Sequence, residues 1–161
     1  MKANLPVITL GKVFNPRLPN QLNQSEPPIK LAEVILEPNK CMSTCALLEY
    51  SQFITFTIFG LNPKLEIVYR LIRQNKKSTE ILQIWDFLFE SATIAEVANI
   101  QTNQPDVFKF CDCDLQNQGE KLIYLYQIIS IKKNSVREFE LTNKNVTGNE
   151  LRNGKSYLLY N

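Results

Sequence analysis

Val107-Phe108-Lys109-Phe110-Cys111-Asp112-Cys113-Asp114 is the stretch whose period decides the fold. Apolar and polar residues alternate through it, as they do in a β-strand whose side chains point to opposite faces in turn. Phe108, Phe110 and Asp112 fall on one face, and Lys109, Cys111 and Cys113 on the other. In extended backbone the two thiols are too far apart to bridge each other, because a disulfide needs Cβ atoms within about 4.5 Å. Each must look to another partner, and the remaining cysteines are Cys41 and Cys45.

Outward from this strand the same period recurs. Downstream, Gln116–Gly119 reads as a turn. Leu122–Ile131 is a near-continuous apolar run, expected of a central strand buried on both faces. Val136–Leu141 is a strand, residues 143–149 a turn region, and Ser156–Tyr160 a last short strand. Upstream, residues 99–105 read as a polar loop. Residues 79–97, with Trp85 near the middle, fit a helix or a strand followed by an irregular segment, and the flanking strand signals favour the second. Leu65, Ile67, Tyr69 and Leu71 alternate after the turn at Gly60–Pro63. Residues 46–59 form a long strand rich in β-branched and aromatic residues, preceded by a loop over 40–44 and a strand over 31–37. Eight or nine strands at regular spacing predict an all-β, jelly-roll-like β-sandwich over residues 30–161.

Residues 1–29 differ. Pro6, Pro16, Pro19, Pro27 and Pro28 punctuate them and exclude a helix. The segment reads as an extended N-terminal arm or connector holding one strand, Val7-Ile8-Thr9-Leu10. An isolated strand is not stable in water, so it must lie on a sheet of this chain or of another.

Composition narrows the chemistry. The 161 residues suit one domain with a real core. Histidine is absent and the five glycines are scattered, so His-dependent catalysis and phosphate-cradling glycine loops are excluded. The net charge of +2 is spread without a basic stripe, which argues against a nucleic-acid partner. No apolar run suits a membrane span, and Met1–Leu10 does not read as a signal peptide. Cytoplasmic synthesis, with no membrane partner, is the expectation, and it would keep cysteines reduced.

Cys41, Cys45, Cys111 and Cys113 match the ligand count of a zinc site. C-x-C on a strand is poor chelate geometry, however, so disulfides within or between chains are favoured over metal, beside inert thiols. No cofactor or metal is expected. Asp112 and Asp114 have too few oxygens for calcium and read as solvated turn residues. Glu37, Glu49, Asp86, Glu90 and Glu96 read as a solvated face. Asn145-Val146-Thr147 matches a glycosylation sequon, but without a secretion signal it reads as a chance match in a turn. Trp85, Tyr124 and Tyr126 could form an aromatic ligand platform, but at strand spacing core or cross-strand pairs are favoured.

Phe108-Lys109-Phe110-Cys111-Asp112-Cys113-Asp114 resembles the F-x-F-C-D-C signature of an uncharacterised domain of spore-forming Firmicutes, chiefly clostridia. Residues 31–37, 46–51 and Trp85 extend the likeness over roughly residues 30–142. The resemblance implies a spore-surface protein, similar in plan to endospore appendage subunits: jelly rolls with N-terminal connectors, disulfide-linked into fibres. Such proteins are made in the mother-cell cytoplasm and meet oxidant when that cell lyses. It implies a non-enzymatic, self-assembling subunit whose partners are copies of itself. Val7, Ile8, Thr9 and Leu10 would then complete a neighbour's sheet edge. A monomeric β-sandwich module binding a glycan or small ligand is the alternative. A leading segment folded back on its own body and touching no other copy would take the ground from the assembly reading.

Overall fold

The strands pair as nested antiparallel partners, first with last. The computed structural model describes residues 7–38, 43–115 and 121–152. Its strands are β1 (Val7–Leu10), β2 (Lys12–Val13), β3 (Ile29–Leu36), β4 (Ser43–Gly60), β5 (Lys64–Gln74), β6 (Thr79–Glu90), β7 (Val97–Asp112), β8 (Leu122–Asn134) and β9 (Val136–Arg152). β1 pairs with β9, β3 with β8, β4 with β7 and β5 with β6. This is a long hairpin rolled on itself, the plan of a jelly roll. One sheet runs β1-β9-β4-β7 and the other β2-β3-β8-β5-β6.

Alternation accounts for the core. Leu65, Ile67, Tyr69 and Leu71 of β5 are buried, as are Leu48, Tyr50, Ile54 and Phe56 of β4. Tyr50 stacks on Tyr126 across the two sheets with centroids 5.0 Å apart, and Phe56 meets Phe89 edge-on at 4.9 Å. β8 lies at the centre of its sheet and is buried along most of its length, as its apolar run predicts. Residues 79–90 are strand and 91–96 irregular, so the strand reading of that segment holds.

Three expectations need correction. Residues 99–105 are not a loop but part of β7, whose polar residues are exposed because β7 is a sheet edge. Pro105 fits there, since an edge strand tolerates a missing N–H. Residues 143–149 are not a turn but lie within β9. The Asn and Gly signals have two other causes. Asn143, with φ 49°, sits at a register shift where β9 bulges against Ser51 and Phe53. Gly148 lies where an added Cβ would come within 2.8 Å of Val34 Cγ1 on the opposite sheet.

The third correction concerns the leading segment, which from Val7 onward does not stand apart from the body. β1 pairs residue for residue with β9 from Val7↔Glu150 to Leu10↔Thr147. The chain then crosses to the other sheet, where β2 pairs with β3. Gly11 marks the crossing: an added Cβ would lie 2.5 Å from Glu33 O and 2.6 Å from Val146 Cγ1. Leu22, buried, exchanges both backbone hydrogen bonds with Ile131. The nested topology supplies the partner that an isolated strand needs. Residues 116–119 and 156–160 lie outside the described residues.

Candidate functional site

β4 and β7 run side by side and bring distant cysteines together on the outer face of their sheet. Leu47 of β4 opposes Cys111 of β7, and Cys45 opposes Leu151 of β9. Cys45 Sγ lies 2.7 Å from Cys113 Sγ, and Cys111 Sγ lies 3.5 Å from Cys113 Sγ. All three sulfurs fall within 4.8 Å of one another. Cys45 is half-buried, and Cys111 and Cys113 are exposed. Cys41 lies outside the described residues. Three of the four disulfide candidates are therefore neighbours, with no S–S bond joining them to one another.

Cys111 and Cys113 are not bridged to each other, as expected, but their sulfurs approach because the strand does not run through both. β7 ends at Asp112, and Cys113 lies beyond it. The cause is Asp112 itself. It is no solvated turn residue, being only 4% exposed. Arg73 Nη1 donates to both its carboxylate oxygens, at 2.7 and 2.6 Å, and Tyr124 OH donates to Oδ2 at 2.8 Å. Asp114 N donates to Asp112 Oδ1 at 3.2 Å, an Asx turn that bends the chain at Cys113. Leu115 is buried on the far side of the bend. Both flanks are thus tied to the core while Cys113 faces outward.

Arg73 was not singled out by the sequence. Its side chain is 2% exposed and also donates from Nη2 to Glu80 at 2.7 Å. Burial pulls its pKa down, but the hydrogen bonds and charges of Asp112 and then Glu80 outweigh that and hold it above the usual value. An Arg inside an alternating strand, on the buried parity of β5, was the available signal.

A second buried polar group lies between the sheets. Tyr50 OH donates to Gln52 Oε1, and Gln52 Nε2 donates to Tyr69 OH and to Asp106 Oδ2, each at 2.9 Å. Burial raises the Asp106 pKa, partly offset by the Gln52 hydrogen bond.

The three aromatic residues belong to the core and do not form a platform, as strand spacing favours. Tyr124 and Tyr126 are fully buried. Both faces of Trp85 are occupied, by Phe108 at 3.7 Å and Tyr69 at 5.3 Å. Of the surface carboxylates, Glu49 pairs with Lys109 at 3.3 Å and Glu90 with Lys64 at 3.9 Å.

A cleft of about 440 Å³ opens where residues 15–18 cross the side of the sandwich beside β9. Leu18, Leu31, Phe139 and Leu141 give it apolar walls, and Arg17, Glu140 and Lys144 line it. Burial lowers the Lys144 pKa. Sequence could not assemble this group, since its members come from segments more than 100 residues apart.

No known protein family matches the chain, and no curated protein matches it in sequence.

Proposed function

We propose that the chain is a self-contained, non-catalytic jelly-roll module that binds a small anionic ligand in the cleft between residues 15–18 and β9. The observation that carries this is the pair Arg17 and Lys144 in one concavity, neither ion-paired among the described residues. The volume is within the range of small-molecule sites, and Phe139 and Leu18 provide an apolar wall for a ligand's body. The negative charge of a bound carboxylate or phosphate would offset the desolvation that lowers the Lys144 pKa. The test is calorimetric titration of the full chain with glucuronate, galacturonate and inorganic phosphate. Saturable binding of at least one, lost in an Arg17→Ala/Lys144→Ala double variant of unchanged circular dichroism, is expected. Heats that are absent, or identical in the variant, reject the cleft.

A second reading is a spore-surface subunit that polymerises with copies of itself, with neither nucleic acid nor membrane as partner. One observation favours it. β1 is a four-residue sheet edge whose Ile8 and Leu10 are 63% and 77% exposed. Its bonds to β9 are main-chain bonds that the β9 of another copy offers equally, so strand exchange would link copies. Size-exclusion chromatography of the chain and of a variant lacking residues 2–14 decides it. Polymer from the first and monomer from the second supports exchange; a concentration-independent monomer from the intact chain rejects it.

A further inference from the structure

We propose that Cys45, Cys111 and Cys113 form a binding site for a thiophilic divalent metal, zinc in the first place. The site is independent of the anion cleft, which lies at a different side of the sandwich.

The argument starts from convergence. Three thiols from two strands and the bend after the second meet within 4.8 Å on one outer face. A zinc ion with Zn–S bonds of about 2.3 Å holds its sulfurs about 3.8 Å apart in a tetrahedron. The Cys111–Cys113 separation of 3.5 Å is close to that edge. The Cys45–Cys113 separation of 2.7 Å is about 1 Å shorter than that edge, so these two sulfurs must part by that much to share one ion. One metal ion can take all three sulfurs at once.

The second strand of argument is the support beneath the site. The usual objection to C-x-C is that a strand splays the two sulfurs. Here the buried Asp112 between them removes it. Held by Arg73 and Tyr124 and accepting the Asp114 N–H, it ends the strand and turns Cys113 toward Cys111. A rigid backbone anchor directly between two ligands is what orients a metal site's donors. Asp112 is a positioning residue here and not a ligand, because its carboxylate is engaged inward by Arg73 and Tyr124.

The chemistry follows from the donors. Sulfur without imidazole or carboxylate selects soft or borderline ions, zinc or copper(I), over magnesium and calcium. Each thiol gives up its proton on binding, so affinity rises with pH. The exposure of Cys111 and Cys113 leaves an entry path, and the three donors among the described residues leave one position of a tetrahedron for solvent or a further ligand. Cys41 forms no part of the site argued here.

The full chain, reduced and stripped with chelator, is titrated with zinc and separately with cobalt(II), then desalted for elemental analysis. About one zinc per chain is expected, with a rise in melting temperature that chelator reverses. Cobalt should give the near-ultraviolet thiolate charge-transfer band. Cys111→Ser and Cys113→Ser, both at exposed positions, should keep the wild-type circular dichroism and lose at least about ninety per cent of the retained metal. Asp112→Asn tests the support: it should retain zinc with at least about tenfold weaker affinity. A chain that retains no metal when reduced overturns the proposal, as does equal retention in Cys111→Ser and Cys113→Ser. Failure here leaves the anion cleft untouched, since the cleft shares no residue with the three thiols.

Discussion

At the scale of single residues, two tyrosines one position removed from each other test how buried polar groups contribute. Tyr124 and Tyr126 lie on the same face of β8 and both are fully buried. Tyr124 donates to the Asp112 carboxylate. Tyr126 OH is buried and has no hydrogen-bond partner among the described residues. A hydroxyl bound to a charged group stabilises, whereas a desolvated one without a partner costs. Tyr124→Phe should therefore lower stability by about 1–2 kcal/mol, and Tyr126→Phe should leave it unchanged or raise it by up to about 1 kcal/mol, both read by urea unfolding. Asp112→Ala removes the main counter-charge of a buried guanidinium and should cost about 3 kcal/mol, softened by Glu80 and Asp114. Asp106 behaves oppositely to a salt-bridged carboxylate. Its folded pKa is raised by burial, so the native state holds the proton more tightly than the unfolded chain. Stability is then greatest below about pH 4 for this group and falls as pH rises through the raised value. Asp106→Asn should flatten that slope and stabilise the protein at neutral pH, measured by urea unfolding across pH. A slope unchanged by the substitution would remove Asp106 as its source.

At the scale of elements, period two was enough to find most of the strands, and their central and edge character followed from burial. Leu65 to Leu71 alternate, and β5 is flanked on both sides. What the sequence hid were the places where one residue type serves two purposes. Asn143 and Gly148 look like a turn, yet one sits at a bulge and the other makes room for Val34. Asp112 looks solvated because its counter-charge, Arg73, is 39 positions away. The thiol cluster was half legible: the residues were named, but their meeting depended on where β7 stops. The leading strand was also legible as a strand, while its partner was a question of topology. Gly11 is the sharpest test of that topology. With a backbone carbonyl and two valine methyls within 2.7 Å of the missing Cβ, Gly11→Ala has no free space. It should cost about 1–3 kcal/mol by overpacking and loosen β1, seen as faster amide exchange at Thr9 and Leu10 than in the parent. Unchanged exchange there would mean that β1 is not seated beside Val146 in solution.

At the scale of the whole molecule, the two sheets seal four tyrosines in one core, Tyr50 from one sheet and Tyr69, Tyr124 and Tyr126 from the other. Burial is the first cause that pushes each phenol well above its ordinary value, with Asp106 adding to it for Tyr50 and Tyr69, Asp112 for Tyr124, and Glu49 for Tyr126. A raised folded pKa means that the native state keeps these protons where an unfolded chain would lose them. Their contribution is intact below about pH 10, the unfolded value, and is lost as pH climbs beyond it. Alkali should therefore unfold the jelly roll cooperatively instead of titrating it residue by residue. Of the six tyrosines in the chain, these four should develop phenolate absorbance only in step with the loss of far-ultraviolet circular dichroism. The nested pairing makes that step single, because β1–β9 and β3–β8 close around the same core that β4–β7 and β5–β6 fill. Phenolate absorbance from all six, complete before the dichroism changes, would show a core open to hydroxide and would contradict a roll closed from first strand to last.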